Sequence, residues 1–346
     1  MNAPCSERLP SFMRRPKTII CMSEAAYAAV LPEPERSAIH QLLDVVGILH
    51  PGDASTIGER PEWTEVQFLV SGWGAPGLTS QILARLPALA AVFHTGGTVK
   101  SITTEAMWSR GIRVTSAAQA NARPVAEYTV AQIVLALKRV WPRALAWRQE
   151  RRYLTDDPLA PGALNSTIGL LALSRTGRVV RELLRSYDLR VLVYDPTVTA
   201  EEAVILGVEL APLERIFSEA HVVSCHLPLL AGTTGLLRGG HFAAMRPGAT
   251  FINTARAGVL HETELLGVLR ARPDLWAILD VTEPEPPDPR ALLLNLPNVI
   301  LTPHLAGSQG EESRRLGRTI IDEIQRHLQG QSLRCEVKRQ HLAEIA

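Results

Sequence analysis

Three polar side chains in the second half of the chain have the chemistry for proton transfer and carboxylate binding. Arg256 lies in "FINTARAGVL", Glu285 in "LDVTEPEPP" and His304 in "LTPHLAG", each at or just beyond the end of an apolar, strand-like run. A histidine can exchange a proton with an alcohol or carbonyl oxygen, and a nearby carboxylate stabilises its charged form. An arginine can hold a carboxylate through two parallel hydrogen bonds. The set predicts redox chemistry on a carboxylate-bearing alcohol or ketone.

Each of these residues also has a simpler interpretation. A lone histidine after a proline is often a satisfied turn residue, Arg256 can be a surface ion-pair partner, and Glu285 lies among prolines in what can be a solvated loop. In an open α/β sheet, however, ligands bind beyond the carboxyl ends of the strands, where the three side chains would converge. Their joint occurrence after a nucleotide loop favours the functional interpretation.

The stretch "TIGLLALSRTG", residues 167–177, predicts a strand, a turn and a helix. A dinucleotide-binding protein has G-x-G-x-x-G at this place, and here the three positions are Ala172, Ser174 and Gly177. Small residues let the backbone approach a pyrophosphate, and the helix N-terminus then faces the phosphates. Alanine and serine serve this purpose if the turn does not require positive φ at their positions. An ordinary βα turn is the alternative.

A second feature favours the nucleotide interpretation of this loop. Asp195 ends the run "RVLVYD", about twenty residues after the loop, as the dinucleotide fingerprint expects. A carboxylate there accepts hydrogen bonds from the ribose hydroxyls and repels a 2′-phosphate, so NAD is favoured over NADP. Arg175, inside the loop, can pair with the pyrophosphate.

Apolar strand-like runs alternate with helical patterns along most of the chain. In the first part the predicted strands are 17–22, 66–71, 89–95 and 111–117, and the predicted helices are 80–87 and 103–111. A long helix at 121–141 and a polar loop at 148–166 precede a second α/β series. Continuous apolar strands separated by helices indicate parallel sheets covered on both faces. An amphipathic helix at 311–330 is expected to return to the first domain.

The sequence therefore predicts an α/β protein with two doubly wound parallel-sheet domains, the second inserted in the first. The first domain would comprise residues 1–118 and 310–346, and the second residues 119–309. A chain of 346 residues is long enough to form both cores.

Composition excludes several classes of function. The net charge of +1 provides no basic field for nucleic acid or an anionic membrane. No apolar run approaches the length of a bilayer span, and the first residues lack an apolar signal-peptide core. The four cysteines are scattered without a Cys-x-x-Cys pair, so we expect no disulfide framework, no metal site and a cytoplasmic location.

These residues lie in longer motifs that resemble the D-isomer-specific 2-hydroxyacid dehydrogenases, a family that includes phosphoglycerate, glycerate/glyoxylate and formate dehydrogenases. The likeness covers about residues 60–325 and is strongest from 92 to 310. Its motifs occur in the family's order: "STIGLLALSRTGRVVRELLRSYDLRVLVYDP", "VSCHLPLLAGTTGLL", "MRPGATFINTARAGVLHETEL", "AILDVTEPEPP" and "NVILTPHLAGS". Several long motifs in order are far more specific than a single glycine-rich loop.

The resemblance implies a Rossmann NAD-binding domain inserted in a flavodoxin-like substrate domain, with NAD as cofactor and a small 2-hydroxy or 2-keto acid as substrate. It implies that Arg256 binds the substrate carboxylate, that His304 is the acid/base and that Glu285 is its partner. Asp280 would hold the nicotinamide carboxamide. Glu285 is preferred to Glu283 because it lies five residues after Asp280, the family spacing.

The remaining contacts are also implied by the resemblance. The dinucleotide contacts would be Ala172, Ser174, Arg175, Thr176, Gly177, Asp195, Thr254, Ala255, Asp280 and Gly307. The substrate loop would be Gly97, Thr98, Val99 and Lys100, and the backbone amides around Gly97, Thr98 and Val99 would cradle the carboxylate. Lys100 stands where many members have aspartate, and Thr282 where an aromatic residue is common. The family is commonly dimeric through its nucleotide domain, so we expect a homodimer that uses Trp141 and Trp147.

An alternative from another functional class is a dinucleotide-sensing interaction protein, since the family has a transcriptional corepressor branch. The altered glycine positions favour this alternative, and the intact Arg256, Glu285 and His304 set argues against it. A methyltransferase with a similar nucleotide loop would leave the order of these three residues unexplained.

Overall fold

The computed structural model describes residues 15–57 and 60–342. The strands are β1 (Lys17–Cys21), β2 (Asp44–Leu49), β3 (Phe68–Ser71), β4 (Ala91–His94), β5 (Arg113–Ser116), β6 (Thr167–Leu171), β7 (Arg190–Tyr194), β8 (Glu209–Leu210), β9 (Val222–Cys225), β10 (Thr250–Asn253), β11 (Trp276–Leu279), β12 (Val299–Leu301) and β13 (Glu336–Val337). The α-helices are α1 (Glu24–Val30), α2 (Glu35–Leu42), α3 (Ser80–Arg85), α4 (Glu105–Ser109), α5 (Ala118–Leu137), α6 (Val140–Glu150), α7 (Arg175–Leu184), α8 (Ala200–Leu206), α9 (Leu213–Glu219), α10 (Gly239–Ala243), α11 (Glu262–Ala271) and α12 (Arg314–Leu328).

The chain divides into two compact units. One contains the described residues up to Ala120 together with Gly310–Leu342, and the other is Asn121–Gln309. The first division therefore falls inside α5, two residues after the position of 118 that the sequence predicts.

The first unit contains a sheet in the order β13-β5-β4-β3-β1-β2. Strands β1 to β5 are parallel, and β13 pairs antiparallel with β5. The order of the five parallel strands is that of flavodoxin-like folds. Helix α12 packs with α1 and α2 so closely that a Cβ on Gly317 would lie 2.1 Å from the carbonyl oxygen of Val30. Its Arg314 and Arg318 form ion pairs with the buried Glu35 of α2, at 3.1 and 2.8 Å.

The second unit contains a fully parallel sheet in the order β12-β11-β10-β9-β6-β7-β8. From β8 to β11 this is the Rossmann order, with one further strand at the edge. Successive residues of each strand enter different cores: Ile252 packs with α5 and α7 residues on one face, and Phe251 with α9 and α11 residues on the other. The predicted fold class, two doubly wound parallel sheets, is confirmed.

The predicted single helix at 121–141 is wrong. Helix α5 ends at Leu137, Arg139 has φ +49°, and α6 continues to Glu150, inside the predicted polar loop. Arg139 is 7% exposed, and its guanidinium donates to Asp157 Oδ2 and the Gly248 carbonyl, both at 2.8 Å. This buried pairing holds a break between α5 and α6, although the sequence pattern predicts an uninterrupted helix there. Within 15–57 and 60–342, no helix has both the length and the apolarity of a bilayer span.

Candidate active site

The predicted acid/base pair is formed in the second unit. His304 follows β12 and Glu285 follows β11, and His304 Nδ1 lies 2.9 Å from Glu285 Oε2. The side chains are 48% and 41% exposed, so both remain accessible to a small molecule. Since Nδ1 faces the carboxylate, Nε2 is the ring nitrogen left for proton exchange with a ligand.

His304 has an unusual backbone. Its φ is +50°, in the left-handed region that non-glycine residues rarely adopt. Its amide donates to the Thr302 carbonyl at 2.9 Å, which closes a tight turn directly after β12. Strain of this kind persists only when surrounding contacts maintain it.

The buried carboxylate of Asp280, at the end of β11, supplies those contacts. Asp280 is 1% exposed, and its Oδ1 accepts from Thr302 Oγ1 at 2.6 Å and from the Leu305 amide at 2.9 Å. Its Oδ2 accepts from the Ala306 amide at 3.0 Å. Asp280 therefore fixes the turn that carries His304. The predicted contact with the nicotinamide carboxamide stays a prediction beside this observed role.

Two residues missed by the sequence analysis extend this network. The hydroxyl of Tyr128, on α5, lies 3.1 Å from Thr302 Oγ1. Burial raises the pKa of Tyr128, so the hydroxyl stays protonated at neutral pH. Thr302 could have been suspected from its place two residues before His304, but no sequence signal connects Tyr128 to it.

Arg256 lies in the same unit, three residues after the end of β10. Burial lowers the pKa of its guanidinium, and the nearby Glu285 carboxylate acts in the opposite direction. One N–H group donates to the Ala255 carbonyl at 2.7 Å, and no other described protein atom accepts from this side chain. A partly buried guanidinium whose other donors meet no described protein acceptor is suited to a carboxylate ligand.

The nucleotide loop differs from expectation at Ala172. Its φ is +74°, so the turn does require positive φ at the first glycine position, contrary to the condition set in the sequence analysis. The alanine is 5% exposed, and its amide donates to the Tyr194 carbonyl at 2.8 Å, which maintains the conformation. The loop accepts the substitution with backbone strain rather than without it.

The other two loop positions have clear roles. A Cβ on Gly177 would lie 2.3 Å from the Ala172 carbonyl oxygen, so only glycine fits between helix and strand. Ser174 is the N-cap of α7, with its hydroxyl 3.4 Å from the Gly177 amide. Arg175 and Thr176 are the first residues of α7, whose leading amides have no intrahelical acceptor. This helix end is suited to bind phosphate oxygens.

Asp195 follows β7 directly and is tied to the same loop. Its Oδ2 accepts from the Leu173 amide at 2.7 Å, and its Oδ1 accepts from the amide and hydroxyl of Thr197 at 2.8 and 2.7 Å. Each oxygen keeps acceptor capacity for a ribose hydroxyl. Beside it lies a cavity of about 340 Å³, lined by Val193, Tyr194, Asp195, Pro196, Leu210, Ala211 and Pro212. The mainly apolar lining suits an adenine ring, and no sequence motif marks Leu210–Pro212 as part of it.

The remaining predicted dinucleotide contacts lie at the same edge of this sheet. Thr254 is 9% exposed, and its hydroxyl is 3.1 Å from that of Thr129 on α5. The Ala255 amide donates to Asn253 Oδ1 at 3.0 Å. Gly307 lies against Asn121, whose side-chain amide would be 3.4 Å from an added Cβ. Taken together, the described residues of this unit fit a dinucleotide.

The predicted substrate loop belongs to the first unit. Gly97 and Thr98 are partly exposed, Val99 is buried, and Lys100 is exposed with its amide 3.3 Å from Thr98 Oγ1. Over the described ranges of the chain, no cluster of three or more histidine, cysteine or acidic residues is arranged to hold a metal ion.

Comparisons with known proteins agree with this architecture. The profile of the D-isomer specific 2-hydroxyacid dehydrogenase NAD binding domain matches residues 131–306. Human D-3-phosphoglycerate dehydrogenase is 32% identical over 268 residues, 78% of this chain and 50% of that protein. The (S)-sulfolactate dehydrogenase of Chromohalobacter salexigens is 33% identical over 288 residues, 80% of this chain and 90% of that protein. The chain thus spans about half the length of the phosphoglycerate dehydrogenase.

Solved structures show the same fold. The TT0316 protein of Thermus thermophilus is 25% identical with a TM-score of 0.74, covering 93% of this chain and 100% of that one. Apo D-mandelate dehydrogenase of Rhodotorula graminis is 20% identical with a TM-score of 0.77, covering 94% and 98%. The profile match and the sulfolactate dehydrogenase relative carry the assignment: this chain belongs to the D-isomer specific 2-hydroxyacid dehydrogenase family and contains its NAD-binding domain.

Proposed function

We propose that the protein is an NAD-dependent oxidoreductase that interconverts a D-2-hydroxy acid and the corresponding 2-keto acid. The observation that carries this proposal is the Glu285–His304 pair at 2.9 Å, in the same unit as Arg256 and the dinucleotide-binding features. When bound, the nicotinamide supplies or accepts the hydride.

The roles of the protein's own residues follow from their contacts. His304 Nε2 gives its proton to the carbonyl oxygen during reduction and takes it back during oxidation. Glu285 stabilises the imidazolium through Nδ1 and fixes its tautomer. Arg256 binds the substrate carboxylate and polarises the adjacent carbonyl. The loop of Gly97, Thr98, Val99 and Lys100 would bind the carboxylate through the amides of Gly97 and Thr98, since the Lys100 amide already donates to Thr98 Oγ1.

The dinucleotide would be held by the residues already placed around the loop. The first amides of α7, at Arg175 and Thr176, would bind the pyrophosphate. Asp195 would accept hydrogen bonds from the ribose hydroxyls, and its negative charge would repel the 2′-phosphate of NADP. We therefore expect NADH to be the better reductant. Thr254, Ala255, Asp280 and Gly307 would contact the nicotinamide end.

The test is a panel of 2-keto acids with apolar, phosphorylated and sulfonated substituents, each assayed for NADH and NADPH oxidation. The two charged substituents are included because relatives are named for phosphoglycerate and sulfolactate. His304→Ala should lower turnover by roughly a hundredfold to ten-thousandfold while NADH binding survives. No turnover with any acid, together with tight NADH binding, would instead support the dinucleotide-sensing protein.

A second variant tests the pairing of Glu285 with His304. Glu285→Gln keeps the shape of the side chain but replaces the carboxylate that faces His304 Nδ1 with a neutral amide, so the ring should lose its fixed orientation. Turnover should fall by roughly tenfold or more while NADH binding is unchanged, because a misplaced catalytic group is costly. Wild-type turnover in the folded variant would remove Glu285 from the mechanism.

We further propose a homodimer in the cytoplasm. Trp147 and Tyr153 are 51% and 71% exposed, and their rings meet edge to face at 5.0 Å, which leaves an apolar surface that a second copy can cover. Trp141 has a different environment, since its Nε1 donates to Gln132 at 3.1 Å and its ring packs on the core. A monomer mass by light scattering at micromolar concentration would reject the dimer.

A further inference from the structure

Two buried polar side chains of the first unit lie under the loop Gly96–Val99, and the proposed mechanism does not use them. His94 is the last residue of β4 and is 4% exposed; Ser116 is the last residue of β5 and is 5% exposed. Neighbouring parallel strands bring them together, since His94 and Ser116 are register partners. Their polar atoms contact the loop rather than solvent.

The Ser116 hydroxyl lies against two successive carbonyl groups of the loop and donates its single hydrogen to the nearer one. Its hydroxyl is 2.6 Å from the Gly97 carbonyl oxygen and 3.2 Å from that of Gly96. The peptide group is planar and trans, so each N–H points opposite to the carbonyl of the same peptide unit. The amides of Gly97 and Thr98 are therefore directed away from Ser116 and away from the buried side of the loop.

These two amides are available to a ligand. Within the described parts of the chain, the amides of Gly97 and Thr98 donate to no protein acceptor. Both residues are partly exposed. Successive amides with one orientation form a concave anion site of the kind that backbone loops use for carboxylates and phosphates.

His94 contacts the same loop from β4. Its Nδ1 lies 2.9 Å from the hydroxyl of Ser71 on β3, so the other ring nitrogen, Nε2, is the one left to face the loop. Burial lowers the pKa of His94 to about 4, while its contact with the Thr98 backbone acts in the opposite direction.

The loop composition agrees with this arrangement. A Cβ placed on Gly96 would lie 2.5 Å from His94 Nε2, so the ring occupies the space that any larger residue at 96 would need. The loop is therefore held by Ser116 at the Gly97 carbonyl, and the His94 ring packs against it at Gly96.

We propose that Ser116 and His94 are positioning residues that hold the loop with the Gly97 and Thr98 amides directed at the substrate carboxylate. The proposal rests on the proposed function, because it assigns the anion to the keto acid. Neither side chain touches the substrate; both act through the backbone of the loop.

The test compares oxalate binding by calorimetry with the KM for the best keto acid in matched variants. Ser116→Ala should weaken oxalate binding and raise KM by roughly tenfold, the effect of one lost hydrogen bond, with a smaller change in kcat. The dissociation constant for NADH should not change, because the dinucleotide features lie in the other unit.

His94 permits a sharper comparison. In His94→Gln the side-chain amide reaches the position of Nε2, which faces the loop, whereas in His94→Asn it reaches only the position of Nδ1. His94→Asn should therefore raise KM by several-fold, and His94→Gln should restore most of the wild-type value. Thr115→Val is the control, because Thr115 is buried on β5 beside Ser116 and its hydroxyl has no hydrogen-bond partner in the described residues.

The outcomes separate this inference from the proposed function. A wild-type enzyme that turns over keto acids, with Ser116→Ala and His94→Asn unchanged in oxalate binding and KM, would overturn the positioning role alone. Equal losses in His94→Asn and His94→Gln would assign the effect of His94 to packing and overturn its role. A wild-type protein with neither turnover nor oxalate binding would overturn the proposed function, and the inference with it.

Discussion

At the scale of single residues, Ala172 is where side-chain identity and backbone conformation disagree. An L-residue at φ +74° is strained, and glycine is not. Ala172→Gly should therefore raise the free energy of unfolding by about 1 kcal/mol and retain or tighten NADH binding. Ser174→Gly should lower it by a few tenths of a kcal/mol, because it removes the N-cap hydroxyl of α7.

Urea denaturation and NADH titration of the two single variants measure both effects. The two variants form a matched comparison. Each restores one glycine of the dinucleotide fingerprint, but only Ala172 has positive φ. A folded Ala172→Gly variant that is less stable than wild type would show that the loop does not have this backbone conformation. Loss of NADH binding in either folded variant would show that it binds the dinucleotide by another geometry.

At the scale of elements, the ends of β11 and β12 and the helix α5 together position His304. The turn after β12 depends on Asp280 of β11, and Thr302 connects that carboxylate to Tyr128 of α5. Thr302→Val keeps the shape of the side chain and removes both hydrogen bonds, so His304 should lose its fixed position. We expect kcat to fall roughly tenfold, since small displacements of a catalytic group are costly.

Conservative variants separate this role from packing. Thr302→Ser keeps the hydroxyl and should retain most of kcat, whereas Tyr128→Phe breaks only the outer hydrogen bond and should have a smaller effect than Thr302→Val. Stopped-flow reduction of the keto acid with saturating NADH measures kcat directly. A Thr302→Val variant with wild-type kcat would show that Asp280 holds the turn without this connection.

At the scale of the whole molecule, each unit has a buried histidine at the carboxyl end of a strand: His94 ends β4 and His226 follows β9, and both are 4% exposed. Burial lowers the pKa of both His94 and His226 to about 4. Each contributes stability that is present above the unfolded pKa, near 6.5, and is lost as pH falls towards 4. When the pH is lowered from 7.5 to 5.5, the free energy of unfolding should fall by about 1.3 kcal/mol for each of these histidines, because only the unfolded ring gains a proton.

Denaturant unfolding at the two pH values tests this expectation. In His94→Gln and in His226→Gln, the loss of unfolding free energy between the two pH values should be smaller by about 1.3 kcal/mol, because glutamine does not titrate. The variants should do so independently, since the two histidines lie in different units. A pH dependence that is identical in wild type and both variants would contradict the buried neutral state of these rings.

The sequence by itself determined the fold class and most of the candidate site. Runs such as "TIGLLAL" are apolar throughout because both faces of a parallel strand are buried, and their polar ends mark the edge where Arg256, Glu285 and His304 follow. Local patterns of this kind are readable because each depends on neighbouring residues. Residues 23–65, where the structure has α1, α2 and β2, gave no such clear pattern and no element was predicted there.

Only the tertiary structure decided which side chains hold the reacting groups in place. Tyr128 meets Thr302 across 174 positions of sequence, and Ser116 reaches the Gly97 carbonyl because β4 and β5 are neighbours. The break at Arg139 likewise depends on Asp157, 18 positions away, and on Gly248, 109 positions away. Such contacts follow from the packing of distant elements, and neither periodicity nor motif spacing encodes which buried polar group will find which partner.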